Sequence, residues 1–190
     1  KKYQLAESSF VTYMKEHSGK QPSEIAKTMQ AEKLAQLNAL RMINTVGKIP
    51  TAQDIIDSII DSGEKIIVFS SFIEPLKIMM EKYPKSSVMI TGETDPNDRG
   101  EIVRKFQEED EIKVFFGGIK SAGAGITLTA ASNTMFLDLP WNPADLEQAS
   151  NRKHRPGIKA SSVNIYQLAV PGTIDDDMRE IINRKQKIFD

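Results

Sequence analysis

Short apolar runs alternate with helical segments along most of this chain, and this alternation constrains the fold more than any other feature. The clearest run, Lys65 to Ser70, has a β-branched, apolar centre, as expected of a strand that is buried on both faces. Further strands are predicted near residues 87–91, 112–116, 134–139 and 162–170, with helices between them. The pattern predicts an α/β domain with a mainly parallel central sheet flanked by helices.

The first 50 residues have a different pattern, because their apolar residues recur at helical spacing without strand-like runs. In the first stretch these residues are Tyr3, Ala6, Phe10 and Met14, and in the second they are Ile25, Met29, Leu37, Leu40 and Ile43. We therefore predict a helical extension at residues 1–50 and the α/β domain at residues 51–190.

Two sequence patterns predict where helices of the α/β domain begin. Thr51 with Asp54, and Thr173 with Asp176, have the spacing of a capping box, in which each side chain accepts a hydrogen bond from the backbone near the other. Helices are accordingly predicted to start at these two threonines.

Composition excludes several classes of protein. The formal net charge of −1 lacks the overall basic character usual in nucleic-acid binders, so any such contact must come from local clusters such as Arg152 to Arg155. The chain has no cysteine, which removes thiolate catalysis and cysteine-bound zinc and favours an intracellular location, cytoplasmic or nuclear. With His17 and His154 as the only histidines, no metal site is predicted. No apolar run approaches the roughly 20 residues that span a membrane, so no membrane partner is expected.

A predicted helix between Pro143 and Arg155 carries the strongest chemical pattern in the chain. Asn142 suits the N-cap of this helix and Pro143 its first turn. Gln148, Arg152 and Arg155 follow at i, i+4 and i+7, so they share one helix face. Two guanidinium groups and an amide on one face can grip phosphate oxygens and stabilise charge in phosphoryl transfer. The alternative is a solvated basic helix end that interacts favourably with the helix dipole.

A glycine-rich segment, residues 117–129, follows the third predicted strand directly. Glycines such as Gly123 and Gly125 let backbone amides approach a phosphate closely, although a plain strand-to-helix turn is an equal alternative. The phosphate-binding pattern Gly-x-x-x-x-Gly-Lys-Ser/Thr occurs nowhere in the chain. A third segment, Thr91-Gly92-Glu93-Thr94 with Arg99 and Phe106 after it, is by itself typical of a turn and a core position.

Taken together and in this order, the segments resemble the C-terminal RecA-like lobe of Swi/Snf-type DNA translocases of helicase superfamily 2. The matching segments are residues 65–72 (motif IV), 91–106, 120–131 (motif V), 141–143 with 148–157 (motif VI), and 163–178. The resemblance covers residues 48–190. The lead-in from Leu40-Arg41 to Gly47-Lys48-Ile49-Pro50 is similar to the annealing-helicase branch.

The resemblance implies roles for particular residues. Arg152 and Arg155 would act as catalytic arginine fingers supported by Gln148, and Gly123 and Gly125 would join these arginines in binding the nucleotide and couple it to DNA. The implied DNA contacts are Ser70, Ser71, Gly92, Lys120, Thr129 and Trp141. For Trp141, an anchor in the core or between lobes is an equal alternative. Such contacts reach phosphates, so base specificity is not expected.

The implied function is the second motor lobe of an ATP-dependent double-stranded-DNA translocase or remodeler. The cofactor would be ATP with Mg²⁺, the metal being held mainly by a separate N-terminal RecA-like lobe, which would be the protein partner. Without that lobe the chain is expected to be inactive. The alternatives are a non-catalytic DNA- or protein-binding module with the same fold, or a lobe of a strand-separating helicase. A dinucleotide-binding enzyme is disfavoured, because Gly-x-Gly-x-x-Gly is absent after the first strand.

The chain departs from the usual motifs of this family in three places. Asn151 replaces the Asp that precedes the first motif VI arginine, and Arg155-Pro156-Gly157-Ile158 lacks the final Gln. Lys120 to Gly123 reads Lys-Ser-Ala-Gly, where Lys-Ala-Gly-Gly is common. None of these changes removes an arginine finger.

Overall fold

The computed structural model describes residues 23–122, 126, 128–141, 144 and 163–189 of the chain. The chain divides into two compact units, Lys1–Gly47 and Lys48–Asp190. In the first unit helix α1 spans Ser23–Gly47, in agreement with the predicted second helical stretch. The helix predicted around Tyr3 to Met14 lies outside the described residues. Within the described ranges, no helix combines the length and apolar character that a membrane span requires.

A parallel sheet of five strands forms the centre of the second unit, as the alternating pattern predicts. The strands are β1 Ile66–Ser70, β2 Ser87–Ile90, β3 Val114–Gly118, β4 Asn133–Phe136 and β5 Asn164–Gln167. Their order is β2-β3-β1-β4-β5, and every neighbouring pair is parallel. Strand β1 lies in the middle and all five of its residues are buried, which explains its uninterrupted apolar run.

Helices flank the sheet and bury its apolar faces. Those whose bounds lie within the described residues are, after α1, α2 Ile49–Asp61, α3 Ile73–Met80, α4 Arg99–Glu108, the single turn α5 Ile119–Ala122, and α6 Ile174–Phe189. Aromatic rings fill much of the core: the centroids of Phe69 and Phe136 are 5.6 Å apart, and those of Phe106 and Phe115 are 5.4 Å apart. Each of these side chains is fully buried, which contributes about 1.5–3 kcal/mol apiece to folding.

One of the two predicted capping boxes is wrong. Helix α2 begins at Ile49, with Lys48 as its N-cap, so Thr51 lies inside the helix. The reason is Pro50, whose fixed φ suits the first turn and whose missing N–H has no helical partner to lose. The chain boundary predicted after residue 50 accordingly falls within this first turn.

The second predicted box marks a real helix start with altered pairing. Helix α6 begins directly after Thr173, whose Oγ1 accepts a hydrogen bond from the backbone N–H of Asp175 at 3.3 Å. The carboxylate of Asp176 accepts from the N–H of Gly172, one residue before the cap, at 2.6 Å. The two side chains still satisfy backbone donors around the helix start, which is the physical purpose of the box.

Lys65 closes the carboxyl end of α4. Its ammonium donates to the backbone oxygens of Phe106 and Glu109 at 2.7 and 2.8 Å. Phe106 lies in the last turn of the helix, where carbonyl groups lack helical partners. The side chain is buried, and this desolvation lowers the pKa of Lys65 below its usual value. A lysine at the start of the central strand therefore has a structural role in tying α4 to β1.

Strand β3 runs into the glycine-rich segment, because Gly117 pairs with Phe69 on one side and Ile90 on the other. A Cβ added at Gly117 would lie 2.9 Å from both Ala122 Cβ and Phe69 Cε1. Glycine at this position thus permits close packing of α5 and the Phe69 ring against the strand.

Gly117→Ala is expected to lower the free energy of unfolding by about 1–3 kcal/mol, because the new methyl group overlaps two packed carbon atoms. Gly92→Ala is the control, since no atom lies within 4 Å of its added Cβ, and it is expected to change stability by less than about 0.5 kcal/mol. Urea unfolding followed by circular dichroism measures both. Equal effects of the two substitutions would contradict this account of β3.

Candidate functional site

The loops that follow β2, β3, β1 and β4 leave the sheet at its carboxyl edge, in that spatial order. Functional loops of parallel α/β sheets gather at this edge. Neighbouring strands are about 4.8 Å apart, so the four loop origins span about 14 Å. Ser70, Ser71, Gly92, Lys120 and Trp141, predicted from sequence as DNA contacts, all belong to these loops or to the strand ends that lead into them. We call the surface formed by Ser71, Gly92, Lys120 and Trp141 the carboxyl-edge surface.

Asp138 joins the loop after β4 to the loop after β1. Its Oδ1 accepts hydrogen bonds from Ser70 Oγ at 2.6 Å and from the backbone N–H of Ser71 at 2.9 Å. Ser70 and Asp138 are buried, and Ser70 Oγ also accepts from the N–H of Phe72 at 3.0 Å. The Ser70 hydroxyl is therefore engaged inside the protein, whereas Ser71 next to it is exposed. Ser70 can influence a ligand mainly by fixing the conformation of this loop.

Residues Thr91 to Thr94 form a tight turn after β2, as their composition indicates. The N–H of Thr94 donates to Thr91 O at 3.3 Å, and the N–H of Thr91 donates to Thr94 Oγ1 at 2.9 Å. Thr91 is buried, whereas Gly92 at the apex is exposed and open on all sides to an added Cβ. Its backbone φ is not positive, so the turn itself does not require glycine there. The absence of a side chain leaves room for close approach of a ligand.

Lys120 lies on the single turn α5 directly after β3, and its side chain is exposed. Ser121 Oγ donates to Gly118 O at 3.3 Å, which fastens this turn to the end of the strand. Trp141, on the loop after β4, is half-buried. The carboxyl-edge surface thus combines one ammonium group, an exposed hydroxyl, an open glycine and an indole.

Thr129 is separated from the other predicted DNA contacts. It precedes β4, at the opposite edge of the sheet, and its Oγ1 accepts a hydrogen bond from Gln107 Nε2 at 3.2 Å. The Gln107 side chain also accepts from the N–H of Ala130 at 2.7 Å. Thr129 is thus part of a link between the end of α4 and the loop before β4.

The residues predicted to bind and act on the nucleotide lie outside the described residues. They are Gly123, Gly125, Gln148, Arg152 and Arg155, and their roles stay predictions from the sequence. In the described part of the chain, no three His, Asp or Glu side chains come together as a metal site would require.

Comparison with known proteins identifies the family. The profile of the helicase conserved C-terminal domain matches residues 47–157, more than half of the chain. This chain belongs to that family. Within it, the similarity is to the C-terminal domain of SNF2-family ATPases, whose use of ATP is a property of the family. The predicted family and the predicted RecA-like α/β fold are both confirmed.

Two curated relatives and one solved structure illustrate the similarity of this helicase C-terminal domain. It is 33% identical over 147 residues to the mouse protein named DNA annealing helicase and endonuclease ZRANB3, covering 75% of the chain and 14% of that protein. It is 35% identical over 145 residues to the Arabidopsis thaliana DNA repair protein RAD5A, again covering 75% of the chain and 14% of the relative. A member of the annealing-helicase branch is thus among the relatives of this chain, but its sequence identity is similar to that of RAD5A. The chain spans about one seventh of the length of these relatives.

The solved structure is the Sulfolobus solfataricus SWI2/SNF2 ATPase core in complex with double-stranded DNA. The helicase C-terminal domain matches it with a TM-score of 0.75 and 25% sequence identity. The match covers 98% of this chain and 41% of that chain. The Sulfolobus protein therefore contains a large part that has no counterpart in the helicase C-terminal domain described here.

The sequence predicts no site role for Asp138 or Arg99, although both form hydrogen bonds with segments that carry the carboxyl-edge surface of this helicase C-terminal domain. The hydrogen bond between Ser70 and Asp138 joins residues far apart in the chain, so no local sequence pattern predicts it. Arg99 did carry a signal: it is the first residue of α4, where the positive end of the helix dipole disfavours a cation. An arginine that works against the dipole indicates a specific partner.

Proposed function

We propose that this helicase C-terminal domain is the second motor lobe of an ATP-dependent translocase that moves along double-stranded DNA. The observation that supports this most directly is the topology, which brings Ser71, Gly92, Lys120 and Trp141 to one edge of the sheet. A duplex presents a row of phosphates along each strand, and an edge about 14 Å wide can face several of them. The Sulfolobus relative in complex with double-stranded DNA supports duplex DNA as the ligand class.

The proposed contacts suit phosphate rather than base recognition. Lys120 supplies a point charge, Ser71 a hydroxyl, and Gly92 a backbone that a phosphate can approach closely. The nearby Lys77–Glu93 pair, with 3.2 Å between Nζ and Oε2, is exposed and adds little net field. Trp141 would lie against the sugar-phosphate backbone or a groove. Binding to DNA would accordingly be independent of base sequence.

The chemistry would depend on residues of two lobes. Bound ATP supplies the phosphoryl group, and Arg152 and Arg155 would stabilise the charge that develops on it, with Gln148 supporting their geometry. Gly123 and Gly125 lie between β3 and β4, so they are suited to couple the nucleotide to the carboxyl-edge surface. We propose that Mg²⁺ and most nucleotide contacts belong to a separate N-terminal RecA-like lobe. A DNA motor of this kind would work inside the cell, in the nucleus or cytoplasm.

Opening and closing of the two lobes would produce movement. Closure would bring the arginine pair to the nucleotide, and reopening after hydrolysis would shift one lobe along the phosphates relative to the other. The carboxyl-edge surface would hold its lobe on the DNA during each shift. Because it contacts phosphates, the grip would release and re-form at any sequence.

Lys120→Ala is expected to weaken duplex binding several-fold and to reduce the slope of log K against log salt concentration by about 1, because one phosphate contact is lost. The measurement is fluorescence anisotropy of a labelled duplex, titrated with the chain at a series of salt concentrations. Duplexes of different sequence are expected to give the same result.

Lys85→Ala is the matched control, because Lys85 is also an exposed lysine but precedes β2, at the opposite edge of the sheet. It removes the same charge from the same chain and is expected to leave the salt slope unchanged. If both substitutions have the same effect, the carboxyl-edge surface is not the DNA site.

A further inference from the structure

Arg99 connects two loops of the carboxyl-edge surface. Its Nη2 donates to the backbone oxygen of Thr91, directly before Gly92, at 3.2 Å. Its Nη1 donates to the backbone oxygen of Ser121, directly after Lys120, at 3.3 Å. The side chain is half-buried and its Nε is enclosed without a hydrogen-bond partner. One guanidinium thus spans the turn after β2 and the helical turn after β3.

The helical turn that carries Lys120 needs such outside support. Helix α5 has four residues, and a single turn is unstable alone because the ordering of its backbone is offset by very few hydrogen bonds. Its ties include the burial of Ile119 and Ala122, the hydrogen bond from the Ser121 hydroxyl to Gly118 O, and the contact with Arg99. Arg99 ties this turn to the turn after β2.

Two features explain why residue 99 is an arginine. The two carbonyl groups belong to different loops, and the planar fork of a guanidinium can donate to both at once, which a lysine ammonium on a flexible stem does not reproduce. The residue also opens α4, where the helix dipole disfavours a positive charge. The two hydrogen bonds to carbonyl oxygens offset that cost.

We propose that Arg99 is a positioning residue, which sets Lys120 and Gly92 at the separation and orientation needed for the phosphates of one DNA duplex. This inference rests on the proposed function, since it concerns the same DNA contacts. Arg99 acts through its neighbours and does not itself bind phosphate. Loss of its fork leaves the Lys120 ammonium present but lets α5 move relative to the turn after β2, so the phosphate contact is lost.

A double-mutant cycle with Arg99→Met and Lys120→Ala tests this inference in the 190-residue chain. Methionine keeps an unbranched apolar stem like that of arginine but removes the guanidinium and all its donors. The readout is affinity for a fluorescent duplex across a salt series, measured well below the melting temperature of each variant. Arg99→Met is expected to weaken binding several-fold and to reduce the salt slope by about 1, as Lys120→Ala does. In the Lys120→Ala background, Arg99→Met is expected to weaken binding by less than about twofold, because residues that act through one another are not additive.

Other outcomes would show whether the positioning role of Arg99 or the proposed DNA contact at Lys120 is wrong. If Lys120→Ala weakens binding but Arg99→Met only lowers the melting temperature, Arg99 is merely structural and the inference is overturned. Additive losses, with the slope reduced by about 2 in the double variant, would mean that Arg99 binds phosphate itself, which also overturns it. If Lys120→Ala has no effect on affinity or slope, the proposed DNA contact is wrong and the inference falls with it.

Arg99→Lys keeps the test decisive if Arg99→Met does not fold. It retains the positive charge and the long stem but replaces the fork with a single ammonium. The expected loss of affinity is close to that of Arg99→Met and again depends on Lys120. Full retention of affinity and salt slope by Arg99→Lys would overturn the positioning role, because charge alone would then suffice.

Discussion

Replacing Arg152 and Arg155 together with alanine is expected to lower DNA-stimulated ATP hydrolysis by about 10³- to 10⁵-fold, with little change in affinity for duplex DNA. The spacing of the two arginines places them on one face of the predicted helix, from which both can reach the same phosphoryl group. The measurement is steady-state turnover in a two-lobe protein that joins this domain to a lobe with a phosphate-binding loop. Duplex affinity is measured on the same samples.

Control variants distinguish loss of the catalytic guanidinium groups from the general loss of a positive charge. Arg179→Ala removes an exposed arginine from α6 and is expected to leave turnover within about twofold. Arg152→Lys keeps the charge but loses bidentate geometry, so it is expected to remain strongly impaired. The domain without a phosphate-loop lobe is expected to hydrolyse no ATP above background, with or without DNA. Brisk turnover by the domain alone would contradict the proposal that half of the active centre lies elsewhere.

The same experiment distinguishes the motor from its alternatives. A non-catalytic binding module would lose no enzymatic activity when the arginine pair is removed, because it would have none to lose. Parallel loss of DNA affinity and turnover would instead identify Arg152 and Arg155 as DNA contacts, in keeping with a solvated basic helix end. A strand-displacement assay on the unsubstituted two-lobe protein separates a translocase, which leaves the strands paired, from a strand-separating helicase.

The sequence predicts the architecture well where burial and local pattern agree. Strand β1 is buried on both faces, so its apolar run is unambiguous and its predicted position is within a residue of the observed one. The apolar pattern predicts strand β3 near residues 112–116, whereas the strand spans Val114–Gly118. Glycines are usually disfavoured in strands, but they are accepted here because α5 and Phe69 pack closely against them. A tertiary contact overrides local preference in this case. The capping box at Thr51 failed for a local reason, the stronger helix-starting signal of Pro50.

The candidate site shows a sharper limit of sequence reasoning. The order of the motifs, through the family resemblance, implies DNA contacts at Lys120 and Gly92, and these stay predictions. The residues that hold these loops in place are not indicated in this way, since Asp138 bonds to Ser70 across the sheet and Arg99 bonds to backbone oxygens of two other segments. Such contacts are fixed by the strand order, which the local pattern leaves open. Ser70 illustrates the consequence: the motif implied a phosphate contact, whereas its hydroxyl is buried against a carboxylate.

The second prediction with a large effect concerns a buried ion pair between Lys48 and Asp175. Lys48 Nζ lies 2.9 Å from Asp175 Oδ2, and both side chains are almost fully buried, at 4% and 6% exposure. Lys48 also donates to Leu168 O at 3.1 Å, and Asp175 accepts from the N–H of Val170 at 2.9 Å. The pair therefore ties the start of α2 to the loop after β5 and to the first turn of α6. Because removal of one partner leaves the other charge buried and unpaired, Lys48→Met is expected to lower the free energy of unfolding by about 3–5 kcal/mol.

The double variant Lys48→Met/Asp175→Leu separates two causes of this loss of stability. One is the net free energy of the ion pair, and the other is the cost of leaving a single charge buried and unpaired. Removing both charges is expected to restore most of the stability lost in either single variant, because a buried ion pair contributes little net free energy over apolar groups of similar volume. Lys77→Met is the matched control at an exposed pair and is expected to cost less than about 1 kcal/mol. Urea unfolding of the unsubstituted domain, the two single variants and the double variant gives the coupling energy between Lys48 and Asp175. Strictly additive losses would show that Lys48 and Asp175 stabilise the domain independently, and the tie between α2 and α6 would then rest on their separate backbone contacts.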